Sequence, residues 1–262
     1  PSPPAGAESV QDPHLRLAHG GRTDFRGKNG TLYNFISSPG FAMNVRIHLS
    51  DFWLHRRTLL VHGSFMTQTH FNVRNTFNMT FDAARMNKLN YAWNMLNGTC
   101  GTRRFTIGPH GALDCAAAAV VVKTEYSSVT VRAAGWVVRV TSQPVYDRVN
   151  GPWHRIDIRA SFSNDAPCSS HGILGQSFMQ ARRDGAIDVY PKSGEYTTHA
   201  MGEGAIDGTA VQYELKDAYG WQFPFSKFAD MACVAVGRTV SASADADADD
   251  DSVNGTVALR SD

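Results

Sequence analysis

The 262-residue chain is 42% hydrophobic and 10% aromatic, so it can bury a sizeable core, and disorder is excluded for most of its length. Its 25 basic and 24 acidic side chains give a net charge of +1, which provides no overall field to attract nucleic acid or an anionic membrane. The longest apolar run, residues 116–122, is much shorter than the roughly 20 residues of a membrane helix.

The two ends of the chain differ in composition from the part between them. Residues 1–11, which open with P-S-P-P, are predicted to form a proline-rich linker, and residues 241–262 an acidic, low-complexity tail. The opening lacks the charged-then-apolar order of a signal peptide, so we expect any such peptide to have been removed or to lie upstream. Residues 12–240 are predicted to form one domain.

Short stretches rich in β-branched and aromatic residues recur through this domain. We predict strands at 31–37, 41–49, 57–63, 77–81, 103–107, 117–123, 128–133, 136–141, 155–162, 173–178 and 210–215. Gly135 separates two alternating stretches, which predicts a tight hairpin. The best helix candidate is 82–95, although its asparagines weaken that prediction. The fold class predicted is therefore all-β, mainly an antiparallel β-sandwich of many short strands with little helix.

The four cysteines occur without a C-x-x-C pair or Cys/His ligand spacing, which argues against a zinc site or a redox motif. An even number favours two disulfides, and three connectivities are possible. We favour Cys100 with Cys115 and Cys168 with Cys233; the alternative is free thiols in a cytosolic protein.

Four N-glycosylation sequons begin at Asn29, Asn78, Asn97 and Asn254. Three of them read N-G-T, a turn-like sequence that would present the asparagine on a loop. Together with the cysteine pattern, they predict a secreted glycoprotein located outside the cell.

No motif of a known catalytic or nucleotide-binding class occurs, so we expect that the protein is not an enzyme. Two scattered sets of residues would need to gather in space to change this expectation. If they gathered, the histidines at 14, 19, 62 and 70 would make a metal site. A pair drawn from the carboxylates of Asp24, Asp157, Asp188 and Glu214 would serve as a glycosidase pair. The five tryptophans belong either to the core or to a sugar-stacking platform: Trp53, Trp93, Trp136, Trp153 and Trp221.

Two segments carry a family resemblance. The first runs from Asp12, Pro13 and His14 through the glycine-rich turn at 20–27 to the strand pair 32–37 and 41–47. It resembles the opening of the von Willebrand factor type D domain. The second, His171-Gly172-Ile-Leu174-Gly175-Gln176-Ser-Phe, is similar to a signature of the plant root-cap and late-embryogenesis-abundant-like relatives of that domain. With the late cysteine at 233, the resemblance spans residues 12 to 237.

The resemblance implies a scaffold with a structural or adhesive role in a cell-wall, matrix or surface-filament assembly. Its partners would be other extracellular glycoproteins, copies of itself, or glycans, with no nucleic acid and no direct insertion into a membrane. It also implies a structural calcium, for which Asp12 and Asp24 are candidate ligands. The cysteine-rich segment of the family is replaced here by Gly172-Ile-Leu-Gly-Gln. No cofactor other than calcium is expected. The alternatives are a carbohydrate-binding module that uses exposed tryptophans and, third, a glycoside hydrolase.

Overall fold

A computed structural model describes residues 6–10, 13–18, 20, 22–86, 95–162, 170–179 and 210–220, with the backbone alone described at 22–24. Strands in the described residues are β1 (Gly6–Val10), β2 (His14–Arg16), β3 (Arg22–Asp24), β4 (Leu32–Ser38), β5 (Phe41–Leu54), β6 (Leu59–Val73), β7 (Phe77–Asp82), β8 (Leu96–Cys100), β9 (Arg103–Ile107), β10 (Ala112–Cys115), β11 (Val120–Thr124), β12 (Ser128–Ala133), β13 (Trp136–Pro144), β14 (His154–Phe162) and β15 (Glu214–Leu215). Short 3₁₀ turns occur at Ala116–Ala118, Gly175–Phe178 and Ala210–Tyr213.

The strands form two sheets, and all pairs within them are antiparallel. The first sheet has the order β10-β11-β12-β13-β14-β1-β2-β3, and the second has the order β15-β4-β5-β6-β7-β8-β9. Alternate residues of both sheets are buried in one hydrophobic cluster between them. The predicted all-β sandwich is confirmed.

The predicted hairpin is the connection between β12 and β13. Val129 and Val131 point into the core, and the two-residue turn consists of Ala134 and Gly135, with φ values of 48° and 81°. Two consecutive positive φ values match the twist that a tight hairpin requires. Trp136 then begins β13 as the largest fully buried side chain.

Trp136 joins the two sheets. Its indole N–H donates to the Ser38 hydroxyl on β4 at 2.7 Å, and its ring stacks on Phe41 of β5 with the centroids 6.0 Å apart. Phe162 and Phe178 meet the same ring edge-on, at 5.2 and 4.9 Å. Because this tryptophan is fully enclosed, it belongs to the core and offers no platform for a ligand.

The disulfide between Cys100 and Cys115 is confirmed, with 5.9 Å between the two Cα atoms. It does more than close a local loop, because Cys100 ends β8 in the second sheet and Cys115 ends β10 in the first. The bond therefore ties two sheets together near their edges. Cys168 and Cys233 lie outside the described residues.

Several predicted boundaries were wrong. Residues 6–10 of the predicted linker form β1, which pairs with β14 and β2, so the sandwich begins within the first eleven residues. The strand predicted at 57–63 begins at Leu59, because a left-handed turn at 55–57 precedes it. The strand predicted at 117–123 begins at Val120, after a 3₁₀ turn.

The predicted strands at 173–178 and 210–215 were also wrong for most of their length. After a single bridge between His171 and Ser37, the chain turns at Gly172 and forms the 3₁₀ turn Gly175–Phe178. Gly172 has φ of 92°, and a Cβ there would lie 2.6 Å from the carbonyl oxygen of Phe35, so the close packing on β4 requires glycine. In the second segment only Glu214–Leu215 is extended.

The predicted helix at 82–95 is only partly described. Asp82 ends β7, residues 83–86 form a turn, and residues 87–94 lie outside the described residues. Within the part of the chain that the structure covers, there is no helix of the length and apolar character needed to cross a membrane.

Candidate functional site

A row of polar side chains crosses the outer face of the second sheet. Arg46, Gln68 and Asp82 are neighbours in register on β5, β6 and β7. Arg46 Nε donates to Gln68 Oε1 at 3.0 Å, and Gln68 Nε2 donates to Asp82 Oδ2 at 2.7 Å. The chain of bonds fixes the amide between a cation and a carboxylate, so the row is rigid and polar.

Two histidines flank this row. His48 on β5 shares a 2.8 Å hydrogen bond through Nδ1 with the Thr67 hydroxyl, and His154 begins β14. Burial lowers the pKa of His48, and the nearby Arg46 lowers it further. Burial also lowers the pKa of His154. Both rings are therefore neutral at pH 7, and each has a nitrogen that donates and one that accepts.

One wall of the site is the loop 145–153, which is bonded along its length to β5. Asn150 Oδ1 accepts from the Asp51 amide at 2.9 Å, its carbonyl accepts from the Ser50 hydroxyl at 2.8 Å, and Val149 donates to the Asp51 carbonyl at 2.7 Å. The pKa of Asp51 is lowered chiefly by its hydrogen bond from His62. These bonds fix the loop on the sheet.

Trp153 lies at the end of this loop and is 68% exposed. The Arg148 guanidinium lies 3.6 Å from the centroid of its ring, and Arg148 also donates to the Gly151 carbonyl at 2.7 Å. Gly151 has φ of 83°, and a Cβ there would lie 2.6 Å from the Leu49 carbonyl oxygen, so the close approach of the loop requires glycine. The indole is thus exposed and held in one orientation.

Together these elements enclose a cleft of about 680 Å³, within the size range of small-ligand sites. Its lining combines the exposed indole with polar side chains and two turns: Asn29, His48, Leu49, Thr67, Gln68, Asp82, Ala84, Asn150, Gly151, Pro152, Trp153 and His154. A smaller groove of about 210 Å³ continues from it across the same face and shares Gln68 and Asp82.

The cleft is suited to a neutral, hydroxyl-rich ligand. An indole packs against the C–H face of a sugar ring, while amides, imidazoles and a carboxylate bond its hydroxyls. Among the described residues that line the cleft, Asp82 is the one carboxylate, and both of its oxygens already accept bonds, from Gln68 and from the Ala84 amide at 2.8 Å. Glycoside hydrolysis uses a pair of carboxyl groups.

The five tryptophans have different locations. Trp136 is in the core, Trp53 lies half-buried on β5, and Trp153 lines the cleft. Trp93 and Trp221 lie outside the described residues. One exposed tryptophan of the described set thus fits the carbohydrate-binding alternative.

Three sequons lie on the second sheet or beside it. Asn29 is exposed on a turn as expected, and its Oδ1 accepts from the Leu49 amide at 3.0 Å. The prediction of a loop was wrong for Asn97, which is exposed but lies within β8. Asn78, on β7, is half-buried with its Oδ1 enclosed. Asn254 lies outside the described residues.

The candidate histidine and carboxylate sets do not converge where they are described. His62 bonds Asp51, while His70 is buried against Thr80. Asp157 and Glu214 lie on different sheets. His19, Asp188 and the proposed calcium ligand Asp12 lie outside the described residues, and the Asp24 side chain is not described. In the described parts of the chain, no three His, Cys, Asp or Glu residues form a metal-binding group.

The residues of the family signature have scaffold positions away from the cleft. His14 lies on β2 after Pro13, and His171 bridges to β4. Gln176 Nε2 donates to the Gly172 carbonyl at 3.0 Å and to the Tyr213 hydroxyl at 2.9 Å. These bonds, with the buried Leu174 and Gly175, hold the 171–178 segment on β4.

Most of the cleft was not predicted from the sequence, including His48, Gln68, Asp82 and His154. The pattern that could have indicated them is the alternation of buried and outward-facing residues along β5, β6 and β7. It places Gln68 and Asp82 on one face, opposite the core residues. The loop contacts that complete the cleft come from residues about 100 positions apart and leave no local pattern.

No protein-family model and no curated protein matches the sequence of the chain.

Proposed function

We propose that this chain is a non-catalytic, extracellular adhesion domain that binds a neutral oligosaccharide in the cleft beside Trp153. The observation that carries the proposal is the exposed indole, fixed by Arg148 and set beside hydrogen-bonding side chains. A ring held in its binding orientation loses little conformational entropy when a ligand stacks on it. An adhesive role follows if the oligosaccharide belongs to a wall or matrix polymer.

Secretion and glycosylation are part of this proposal. The disulfide between Cys100 and Cys115 supports an oxidising compartment, where such bonds persist. Exposure of Asn29 and Asn97 supports glycan attachment at those two sequons.

The relationship to the von Willebrand type D and root-cap proteins is likewise a proposal. It is supported by the scaffold role of the H-G-I-L-G-Q segment, whose residues pack on β4 and bond Tyr213. In such a scaffold, association with other extracellular glycoproteins or with copies of the chain would involve surfaces rather than a buried site.

The absence of catalysis is proposed because the described lining has one carboxylate, Asp82, whose oxygens are bonded within the protein. A hydrolase would need a second carboxyl group beside the sugar.

A glycan array followed by calorimetry tests the proposal. The unmodified chain should bind neutral oligosaccharides, and Trp153→Ala should weaken binding by at least about tenfold, equivalent to 1.4 kcal/mol. Tyr146→Ala is the matched control, because Tyr146 is 76% exposed on the same loop but does not line the cleft. It should bind as the unmodified chain does.

Equal affinity in the Trp153→Ala and unmodified chains would refute the assignment of the cleft. Release of reducing sugar from any bound glycan, lost in Asp82→Asn, would refute the non-catalytic proposal while leaving the cleft in place.

A further inference from the structure

The outer face of the first sheet carries a row of basic side chains, on the sheet opposite the cleft. In cross-strand register, six neighbouring strands from β11 to β2 contribute one residue each: Lys123, Thr130, Arg139, Arg159, Glu8 and Arg16. Strands lie about 4.8 Å apart, so this arginine row is about 24 Å long.

The row concentrates positive charge in a chain that is nearly neutral overall. It contains four cations and one anion, and Arg132, next to Val137 in register, adds a further exposed cation on the same face. Arg139 and Arg159 face each other directly across β13 and β14, an arrangement of like charges that destabilises an antiparallel pair.

The carboxylates near the row orient the guanidinium groups and leave them exposed. Glu8 lies 3.3 Å from Arg16 Nε and 3.4 Å from Arg159 Nε, while Glu125 accepts from Arg139 at 2.7 Å. The Arg159 and Arg16 side chains remain 76% and 63% exposed. Exposed ion pairs of this kind are weak, so an incoming anion can replace the internal partner at small cost.

The other charged side chains described on this face do not cancel the positive charge of the row. Arg155 pairs with Asp157 two residues away along β14, and Asp114 lies on the edge strand β10. Arg16, Arg139 and Arg159 of the row line a groove of about 410 Å³, whose lining also includes Gly6, Val137 and Ser161.

From this charge pattern we infer that the arginine row binds a linear polysaccharide that contains uronic acid. A guanidinium group bonds a carboxylate through two parallel N–H groups, and a row of them suits a polymer whose carboxylates recur at intervals. No Phe, Tyr or Trp occurs at the outward positions of the described strands of this sheet, so stacking of nucleic-acid bases has no platform there. This surface is independent of the cleft.

Binding of the full chain to immobilised polygalacturonate, with dextran as the neutral reference, tests the inference. Binding should occur at about 50 mM salt and be lost at about 500 mM, because the charges are exposed. Arg139→Gln with Arg159→Gln should weaken it at least about tenfold. The control, Arg103→Gln with Arg104→Gln, changes the net charge equally on exposed residues of β9 in the other sheet, and it should bind as the unmodified chain does.

Three results would overturn the inference: no binding at low salt, equal loss in the two double variants, or equal affinity for single-stranded DNA of the same charge. The melting temperature of neither variant should fall below that of the unmodified chain, since all four side chains are exposed.

Discussion

Acid should destabilise this protein through two buried histidines. His70 is 6% exposed beneath Tyr219, whose ring it meets edge-on at 5.7 Å, and His171 is 3% exposed beside Tyr213. Burial lowers the pKa of each to about 4 from the ordinary value of 6.5, and for His70 the nearby Arg46 charge contributes to that fall. Each ring is therefore neutral in the folded protein at pH values where the unfolded chain binds a proton.

The direction and size of the effect follow from proton linkage. The unfolded state binds more protons between pH 6.5 and pH 4, so stability is fully present above about pH 6.5 and falls as the pH falls toward 4. Between pH 7.5 and 4.5, each histidine should remove about 2.5 kcal/mol from the free energy of unfolding, and the two together about 5 kcal/mol.

Urea denaturation followed by circular dichroism at several pH values measures this loss. In His70→Gln the fall in the free energy of unfolding should be smaller by about 2.5 kcal/mol, because one titrating group is gone. His110→Gln is the control, since His110 is exposed, and it should keep the full dependence. A free energy of unfolding that is flat between pH 7.5 and 4.5, or an unchanged fall in His70→Gln, would refute the reasoning.

Three other predictions concern the disulfide, the loop and the sequons. Replacing Cys100 and Cys115 with serine should lower the free energy of unfolding by about 3 kcal/mol, as expected for a 15-residue loop, in denaturant titrations. Gly151→Ala should cost about 2 kcal/mol or more and weaken oligosaccharide binding, because its φ is positive and the space for a Cβ is filled; full stability would contradict this. Peptide mass mapping of protein from a secreting host should find more glycan at Asn29 than at Asn78, whose amide oxygen is enclosed, and the reverse order would contradict the exposure argument.

Much of the sandwich could be predicted from alternation alone. The bounds predicted for 103–107 and 128–133 match β9 and β12, because their inward residues, such as Val129 and Val131, alternate with polar ones. The segment 173–178 has no such alternation, so its sequence does not distinguish a strand from a turn. It becomes a 3₁₀ turn because only His171 finds a strand partner, and Gly172 redirects the chain.

Less of the candidate site than of the fold could be predicted from the sequence. The same alternation indicates that Trp136 is a core residue, since it shares a face with Val138 and Val140. For Trp153, which precedes β14, exposure depends on the bonds that tie its loop to Asp51 on a strand far away in sequence. Long-range contacts of this kind decide which tryptophan a ligand can reach.

Nuclear magnetic resonance of the tryptophan indole N–H groups tests the central claim most directly. On titration with a neutral oligosaccharide selected by the array, the Trp153 resonance should shift in proportion to occupancy. The Trp136 resonance should stay in place, because its N–H donates to Ser38 within the core. Saturable binding that leaves the Trp153 resonance unmoved would contradict the proposal that this cleft is the binding site.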